Sequence, residues 1–129
     1  MNSTLRAVRG AITVEADRAD LIREATGALV TALLSANALT RDEVISAYFT
    51  ATPDLRSEFP ATGARAHGWH EVPMLCAQEI DVEGAMPRCI RVLLHVAVPT
   101  GKPLRAVYLR EAQGLRPDLQ AGTPVGSAS

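Results

Sequence analysis

The sequence predicts an α+β fold, because one long amphipathic helix and four apolar, β-branched stretches are separated by turns along a single chain. Its 129 residues, 47% of them hydrophobic, are enough for one compact core and too few to argue for two. We therefore expect one domain over residues 1–129. We expect residues 1–4 to be an unstructured polar lead and residues 120–129, rich in Gly, Ser, Ala and Pro, to be a flexible tail.

The overall charge excludes several classes of partner. The 13 basic residues nearly balance the 14 acidic ones, so neither a nucleic acid nor a membrane surface is the expected partner. The start lacks a charged and then apolar leader, and no apolar run approaches the roughly 20 residues of a membrane span. We expect a soluble, cytoplasmic protein, in which Cys76 and Cys89 stay reduced.

The first strand is expected over residues 5–14. Its alternation puts Val8 and Ile12 on one face and Arg9 on the other, beside small alanines. Together with Gly10, these small residues leave room next to Arg9, which suits a bound ligand better than a packed core.

A long helix is expected over residues 17–37, with Asp17 as its N-cap. The apolar residues that recur at helical spacing are Leu21, Ile22, Ala25, Ala28, Leu29, Ala32, Leu33 and Ala36. This stripe is narrow and rich in alanine, so the helix can lie close against a sheet. Gly27 costs about 1 kcal/mol relative to alanine, which five turns of good periodicity can absorb.

The middle of the chain predicts one helical turn, a strand and a short helix. Thr40 and Glu43 have the spacing of a capping box, and the β-rich residues 44–51 follow directly. Pro53 ends that strand, and Pro60 suits the first position of a helix that runs to about Ala66.

The segment around that short helix is expected to be a surface lid. Its turn residues and interleaved charges are typical of a mobile, exposed connection. It carries Phe59, Arg65 and the only tryptophan, Trp69.

The stretch 76–98 contains the polar residues on which the rest of the prediction depends. Arg91 lies in the middle of a buried-looking strand over residues 89–98, where an unpaired guanidinium would be very costly, so it needs an anion. Glu79 and Cys76 lie just upstream and are expected to reach the same pocket. A final strand over residues 104–110 puts Tyr108 and Arg110 on one face.

Arg9, Arg91 and Tyr108 each project from an otherwise modest strand face. A sheet that brought these faces together would form a cationic pocket for a small dicarboxylate, because guanidinium groups pair bidentately with carboxylates. The alternative is that the arginines form ordinary structural ion pairs, which the pattern alone slightly favours. The acids available for such pairs are Glu15, Asp81 and Glu111.

Other chemistries find little support. The cysteines and histidines lack the close-spaced pairs of a structural zinc site, apart from His67 and His70 in a loop. No Gly-x-Ser-x-Gly elbow, P-loop or dinucleotide fingerprint occurs, and Cys76 has no obvious histidine base. We therefore expect neither a metal nor a cofactor.

Several blocks, in order along nearly the whole chain, resemble the small, monofunctional, trimeric chorismate mutases of bacteria. The matching blocks are residues 6–15, 51–55, 59–61, 72–73, 76–82, 89–92, 107–109 and 115–119. The resemblance implies a mixed sheet packed on one long helix, and a pseudo-barrel homotrimer with active sites in the clefts between subunits. It favours the ligand pocket over plain ion pairs.

The resemblance also implies the reaction, the Claisen rearrangement of chorismate to prephenate in the shikimate pathway to phenylalanine and tyrosine. A rearrangement within one molecule needs no nucleophile and no cofactor. The protein holds the substrate in its reactive shape and stabilises the charge that develops as the ether bond breaks.

The resemblance assigns roles to individual residues. Arg91 corresponds to the catalytic cation beside the ether oxygen, and Glu79 and Cys76 to the pair that binds the ring hydroxyl, with Glu79 also favouring positive charge on the ring. Arg9 and Tyr108 correspond to the groups that hold the enolpyruvyl carboxylate. The remaining matches are the apolar walls Phe59, Ala61, Met74 and Leu115, and the peripheral cations Arg65 and Arg116.

Two positions depart from the family pattern: Thr62 stands where a lysine is expected, and Leu75 where a threonine is expected. Two other functions would also suit a pocket that holds a carboxylate. One is a non-catalytic trimeric module that binds a small carboxylate, and the other is an imine deaminase of similar subunit shape that also holds a carboxylate with an arginine. The ordered run of matching blocks argues against both.

Overall fold

The computed structural model describes residues 2–115, over which the chain forms a five-stranded sheet covered by helices. In chain order the elements are β1 (Ser3–Thr13), α1 (Ala19–Ala36), a 3₁₀ turn (Arg41–Glu43), β2 (Val44–Ala51), α2 (Pro60–Arg65), β3 (Met74–Gln78), β4 (Cys89–Pro99), β5 (Val107–Leu109) and a 3₁₀ helix (Arg110–Gly114). No helix in this range is both long and apolar enough to cross a membrane.

The sheet is mixed, with strand order β3-β2-β4-β1-β5. β4 runs antiparallel to β1 and β2, whereas β5 is parallel to β1 and β3 is parallel to β2. Every second residue of β4 is buried under the helices, as its alternation predicts, and these residues are Ile90, Val92, Leu94 and Val96. The predicted α+β class, a mixed sheet packed on one long helix, is confirmed.

Gly10 allows α1 to approach the sheet closely. A Cβ atom at this position would lie 2.8 Å from Cδ1 of Leu33 and 3.1 Å from Cδ1 of Leu29. The absent side chain therefore faces the helix, away from Arg9. The missing side chain of Gly10 thus makes room for the helix, whereas its backbone lines a cavity beside Arg9, as predicted. The prediction of close packing between the helix and the sheet is confirmed.

The start of α1 differs from the prediction. Its N-cap is Arg18, and no side chain caps the helix. The carboxylate of Asp17 instead accepts hydrogen bonds from the backbone N–H groups of Arg56 and Ser57, both at 2.9 Å. These bonds, the Arg56 bond first, hold the pKa of Asp17 below its usual value. Asp17 thus fastens the segment before α2 to the start of α1.

The buried side of α1 is wider than the predicted stripe. Thr26, Gly27 and Val30 are buried, because α2 packs against this side of the helix. Of the predicted stripe, Ala36 is exposed, and the fully buried positions are Ile22, Ala25, Leu29 and Leu33. Gly63 of α2 makes that contact tight, since a Cβ there would lie 2.6 Å from the carbonyl oxygen of Arg23. Gly27 faces the ring of His67, which occupies the space of a Cβ. Packing against His67 therefore explains why a glycine is found inside α1.

The predictions for the middle of the chain hold, with one exception. The capping box is present, with the backbone N–H of Thr40 donating to Oε1 of Glu43 at 2.9 Å. β2 covers the predicted residues, and α2 begins at Pro60. The exception is Trp69, which is 1% exposed and lies in the core instead of on the surface.

The ends of the described region also differ. β1 begins at Ser3, paired with Pro99, so Ser3 and Thr4 are not part of an unstructured lead. β5 is shorter than predicted, because Arg110 has a φ of 58° and starts a 3₁₀ helix. The predicted flexible tail over residues 120–129 lies outside the described residues.

Candidate active site

The face of the sheet turned away from α1 carries the three polar residues singled out from the sequence. In the strand register, Arg91 lies opposite Ala11 of β1 and Thr50 of β2. Tyr108 of β5 also pairs with Ala11, and Arg9 lies one side-chain position further along the same face of β1. The structure therefore brings Arg9, Arg91 and Tyr108 together around Ala11.

A cavity of about 500 Å³ lies over this face. It is lined by Arg9, Gly10, Ala11, Tyr48, Thr50, Arg91, Val92, Leu93, Tyr108 and Leu115. Its size suits a small metabolite, and its charge, two guanidinium groups beside a phenol, suits an anion. Leu115, predicted as an apolar wall, lies at the end of the 3₁₀ helix that follows β5.

Glu79 joins this group from the far side of β2. Its carboxylate oxygen Oε2 lies 3.0 Å from Nε of Arg91, and the same oxygen accepts a hydrogen bond from Oγ1 of Thr50 at 2.6 Å. The side chain of Arg91 is 48% exposed, whereas that of Glu79 is 17% exposed. The prediction that Arg91 is buried in the sheet is therefore wrong, since its face of the sheet is open. The expectation that Glu79 reaches the pocket of Arg91 is confirmed.

The structural ion-pair interpretation does not describe this face. Among residues 2–115, no arginine pairs with any of the three acids proposed for it, and Arg9 forms no ion pair. Arg91 uses one edge of its guanidinium for Glu79 and is half exposed to the cavity. Positive charge is thus available to a ligand.

Cys76 lies on the other face of the sheet. It pairs with Phe49, a core residue, and lines a second cavity of about 360 Å³ together with Phe59. The expectation that Cys76 and Arg91 share one pocket is wrong within a single chain, because alternate residues of β3 point to opposite faces. The predicted site is divided into two halves, which we call the Arg91 half and the Cys76 half.

The remaining predicted residues line neither cavity within one chain. Ala61 is 2% exposed and belongs to the core, Met74 packs partly against that core, and Arg65 is exposed in the last turn of α2. Arg116 lies outside the described residues.

Of the two positions that depart from the family pattern, Thr62 has a hydrogen-bond partner within the chain and Leu75 has no structural explanation. Oγ1 of Thr62 donates a hydrogen bond of 3.2 Å to Oε1 of Glu58, which also pairs with Arg23. Leu75 is exposed on the edge strand, and nothing within the chain explains it.

Thr50 and Tyr48 are cavity residues that the sequence did not single out. Both lie on the Arg91 face of β2 and line its cavity. The alternation of β2, in which the intervening Ala47, Phe49 and Ala51 are buried, could have placed them on this face.

Cys89 is fully buried beside the site, two residues before Arg91 and next to Ala11 and Ala112. Burial raises the pKa of its thiol to about 11, so the group is neutral at physiological pH. Cys89 therefore adds no negative charge beside Arg91, whose anionic partner is Glu79. Both cysteines of the chain are free thiols.

No three His, Cys, Asp or Glu side chains lie close enough to hold a metal ion within residues 2–115. The polar side chains at the cavity supply guanidinium, carboxylate and hydroxyl groups. A mixed sheet with helices on one face and a cationic cavity on the other defines this chain as an α+β protein built to hold a small anion.

Comparison with known proteins names the family. Residues 5–119 match the model of the family described as chorismate mutase type I, and the chain belongs to this family. It is 47% identical over 119 residues to the chorismate mutase AroH of Thermus thermophilus, covering 91% of this chain and 98% of the relative. It is 41% identical over 118 residues to AroH of Bacillus subtilis (strain 168), covering 89% and 92%.

The fold agrees with a solved structure of the same activity. A chorismate mutase from Clostridium thermocellum superposes with a TM-score of 0.79 at 41% sequence identity, covering 84% of this chain and 98% of that one. The chain is therefore a chorismate mutase, which is an isomerase of aromatic amino acid biosynthesis.

Proposed function

We propose that this enzyme rearranges chorismate to prephenate by restraining the substrate and stabilising charge, with no covalent intermediate. The observation that carries the proposal is the cavity in which Arg91, half exposed, faces Arg9 and Tyr108. Two guanidinium groups and a phenol suit a substrate with two carboxylates and an ether oxygen that gains negative charge.

Arg91 is the proposed catalytic cation. Negative charge builds on the ether oxygen as its bond to the ring lengthens, so a donor placed there stabilises the transition state more than the ground state. Arg9 and Tyr108 hold the carboxylate of the side chain that must fold over the ring. Holding the two reacting ends together removes much of the entropic barrier.

Glu79 is the proposed partner of the ring. Its side chain is mostly buried and fixed by two contacts on one oxygen, so its second oxygen is directed by the protein. A carboxylate there accepts the ring hydroxyl and favours the positive charge that develops on the ring. The same group sets the orientation of Arg91 through the ion pair.

We propose further that the complete site forms between subunits of a homotrimer. The Arg91 half and the Cys76 half lie on opposite faces of one sheet and cannot meet within one chain. Large apolar side chains are exposed near both halves, as expected of an interface. The neighbouring subunit would contribute Phe59, Cys76 and Arg65, with Ala61 and Met74 supporting them.

The reaction itself is tested by incubating the purified protein with chorismate and following the loss of chorismate together with the formation of prephenate. Turnover supports the proposal. Binding of a dicarboxylate analogue without turnover would instead identify a non-catalytic binding module.

The shared site is tested by complementation. Arg91→Ala disables the Arg91 half, and the double variant Phe59→Ala with Cys76→Ala weakens the Cys76 half. In trimers co-expressed from equal amounts of both chains, about one quarter of the sites would have both halves intact. Recovered activity well above that of either variant alone supports sites between subunits, whereas no recovery contradicts them.

We also propose a cytoplasmic location. Both cysteines are free thiols, which suits a reducing compartment.

A further inference from the structure

We propose that Thr50 is a positioning residue, which fixes the carboxylate of Glu79 and thereby keeps the guanidinium of Arg91 directed at the substrate. The inference rests on the proposed function of this cavity. Thr50 itself is the next-to-last residue of β2, where the sequence alone suggests only a strand-forming residue.

Thr50, Arg91 and Glu79 lie side by side across three neighbouring parts of the sheet. Thr50 of β2 lies directly opposite Arg91 of β4. Glu79 comes directly after β3, and its backbone N–H donates to the carbonyl oxygen of Ala51 at 2.9 Å, so its main chain is also attached to β2. β2 therefore holds Glu79 twice: Ala51 binds its backbone, and the Thr50 hydroxyl binds its side chain.

The contacts are divided unequally between the two oxygens of Glu79. Oε2 takes both the Thr50 hydroxyl, at 2.6 Å, and Nε of Arg91, at 3.0 Å. Among residues 2–115, no side chain donates to Oε1. Fixing Oε2 therefore leaves Oε1 for the ring hydroxyl, in the role proposed for this carboxylate.

The way in which Glu79 uses its two oxygens also determines how many N–H donors of Arg91 are left for a ligand. A guanidinium has five N–H donors in a rigid fork, and a mobile carboxylate prefers to take two of them at once. The shortest contact between Glu79 and Arg91 is the one between Oε2 and Nε, and we attribute this geometry to the hydrogen bond that Thr50 donates to Oε2. Without the hydroxyl, we expect the carboxylate to rotate into a bidentate pair and compete with the substrate for the cation.

A threonine is suited to this task. Its hydroxyl supplies a single proton, and its branched Cβ restricts χ1, so the donor direction is defined by the strand. Serine keeps the proton with a freer rotamer, and valine keeps the shape without the proton. The pair Thr50→Val and Thr50→Ser therefore separates the hydrogen bond from packing.

The test compares these two variants with a matched control in the full-length protein. Ser46 lies on the same face of β2, and its hydroxyl lies 3.2 Å from Nδ1 of His95, away from Glu79. We expect Thr50→Val to lower kcat about tenfold with little change in KM, since a lost hydrogen bond to a charged group acts here on the transition state. Thr50→Ser should recover most of that loss, and Ser46→Ala should retain the wild-type kcat.

A double variant tests whether Thr50 acts through Glu79. In the Glu79→Ala background, Thr50→Val should produce no further loss of kcat, because the group it positions is gone. A further tenfold loss there, or a wild-type kcat for Thr50→Val alone, would overturn the inference. Wild-type protein and Ser46→Ala, measured in the same assay, report separately on the proposed function. Thermal unfolding of every variant shows whether a loss of activity comes from a loss of fold.

Discussion

The shortest contact between Arg91 and Glu79 joins Nε of the arginine to Oε2 of the glutamate, at 3.0 Å. A pair of this kind orients a cation without fully neutralising it, because the other guanidinium N–H groups are left for a ligand. The pair also lies at the edge of an open cavity, with the arginine 48% exposed. Such a cation can respond to charge that appears on a bound substrate.

Replacing Arg91 should mainly affect the chemical step. We expect Arg91→Ala to lower kcat by at least about 10²-fold while the protein still folds, because the lost interaction belongs to the transition state. Arg91→Lys should lose less, since it keeps the charge but not the fork. Steady-state kinetics with chorismate, alongside circular dichroism, measure both effects. A change confined to KM would show that Arg91 only binds the substrate.

Alternation along the strands predicted much of this site. It placed Arg9, Arg91 and Tyr108 on the same face because successive side chains of a strand point to opposite sides. It could not show whether that face is covered by another layer, and so it predicted a buried Arg91. Exposure depends on where the helices pack, and both lie on the opposite face of the sheet.

The placement of Cys76 shows a second limit. Its face depends on the register of β3 against β2, in which Cys76 pairs with Phe49. That register is set by tertiary packing and by the turn before β3, and neither leaves a mark in the local pattern. The prediction that Trp69 lies on a surface lid was wrong for a similar reason, because a segment rich in turns can still bury one large side chain.

The contact between the two α-helices should not tolerate a methyl group at Gly63. A Cβ there would lie 2.6 Å from the carbonyl oxygen of Arg23, a backbone atom that cannot move alone. We expect Gly63→Ala to lower the free energy of unfolding by about 1–3 kcal/mol despite alanine's better helix propensity. Gly114→Ala is the control, because the one atom of the described residues 2–115 that its Cβ would meet is Cε of Met86, at 3.6 Å. Urea denaturation of both variants would measure the difference, and equal stabilities would contradict the predicted clash.

The hydroxyl of Thr52 should stabilise the start of β4. It accepts a hydrogen bond from the backbone N–H of Cys89 at 2.9 Å and donates to Oδ1 of Asp54 at 2.6 Å. We expect Thr52→Val to cost about 1–3 kcal/mol, because the N–H of a fully buried residue loses its partner. The exposed Thr31→Val on α1 is the control and should change stability by less than about 0.5 kcal/mol. A Thr52→Val protein as stable as the wild type would mean that water replaces the hydroxyl.

The buried thiol of Cys89 should make stability depend on pH in the alkaline range. Its pKa rises from an ordinary value of 9.0 to about 11 in the folded protein, chiefly because burial disfavours the thiolate. Between these values the folded state holds the proton more tightly than the unfolded state does. The thiol's contribution to stability is therefore fully present below pH 9 and is lost as the pH rises through the folded pKa.

Cys89→Ala isolates this contribution from that of other groups that titrate at high pH. Denaturant unfolding at about pH 8 and about pH 10 should show a larger loss of stability in the wild type than in the variant. The variant is expected to be less stable than the wild type at pH 8, by about 1 kcal/mol, because it leaves a small void in the core. The gap between the two proteins should then narrow at pH 10. A gap that stays constant between the two pH values would show that Cys89 does not titrate in the range set by its burial.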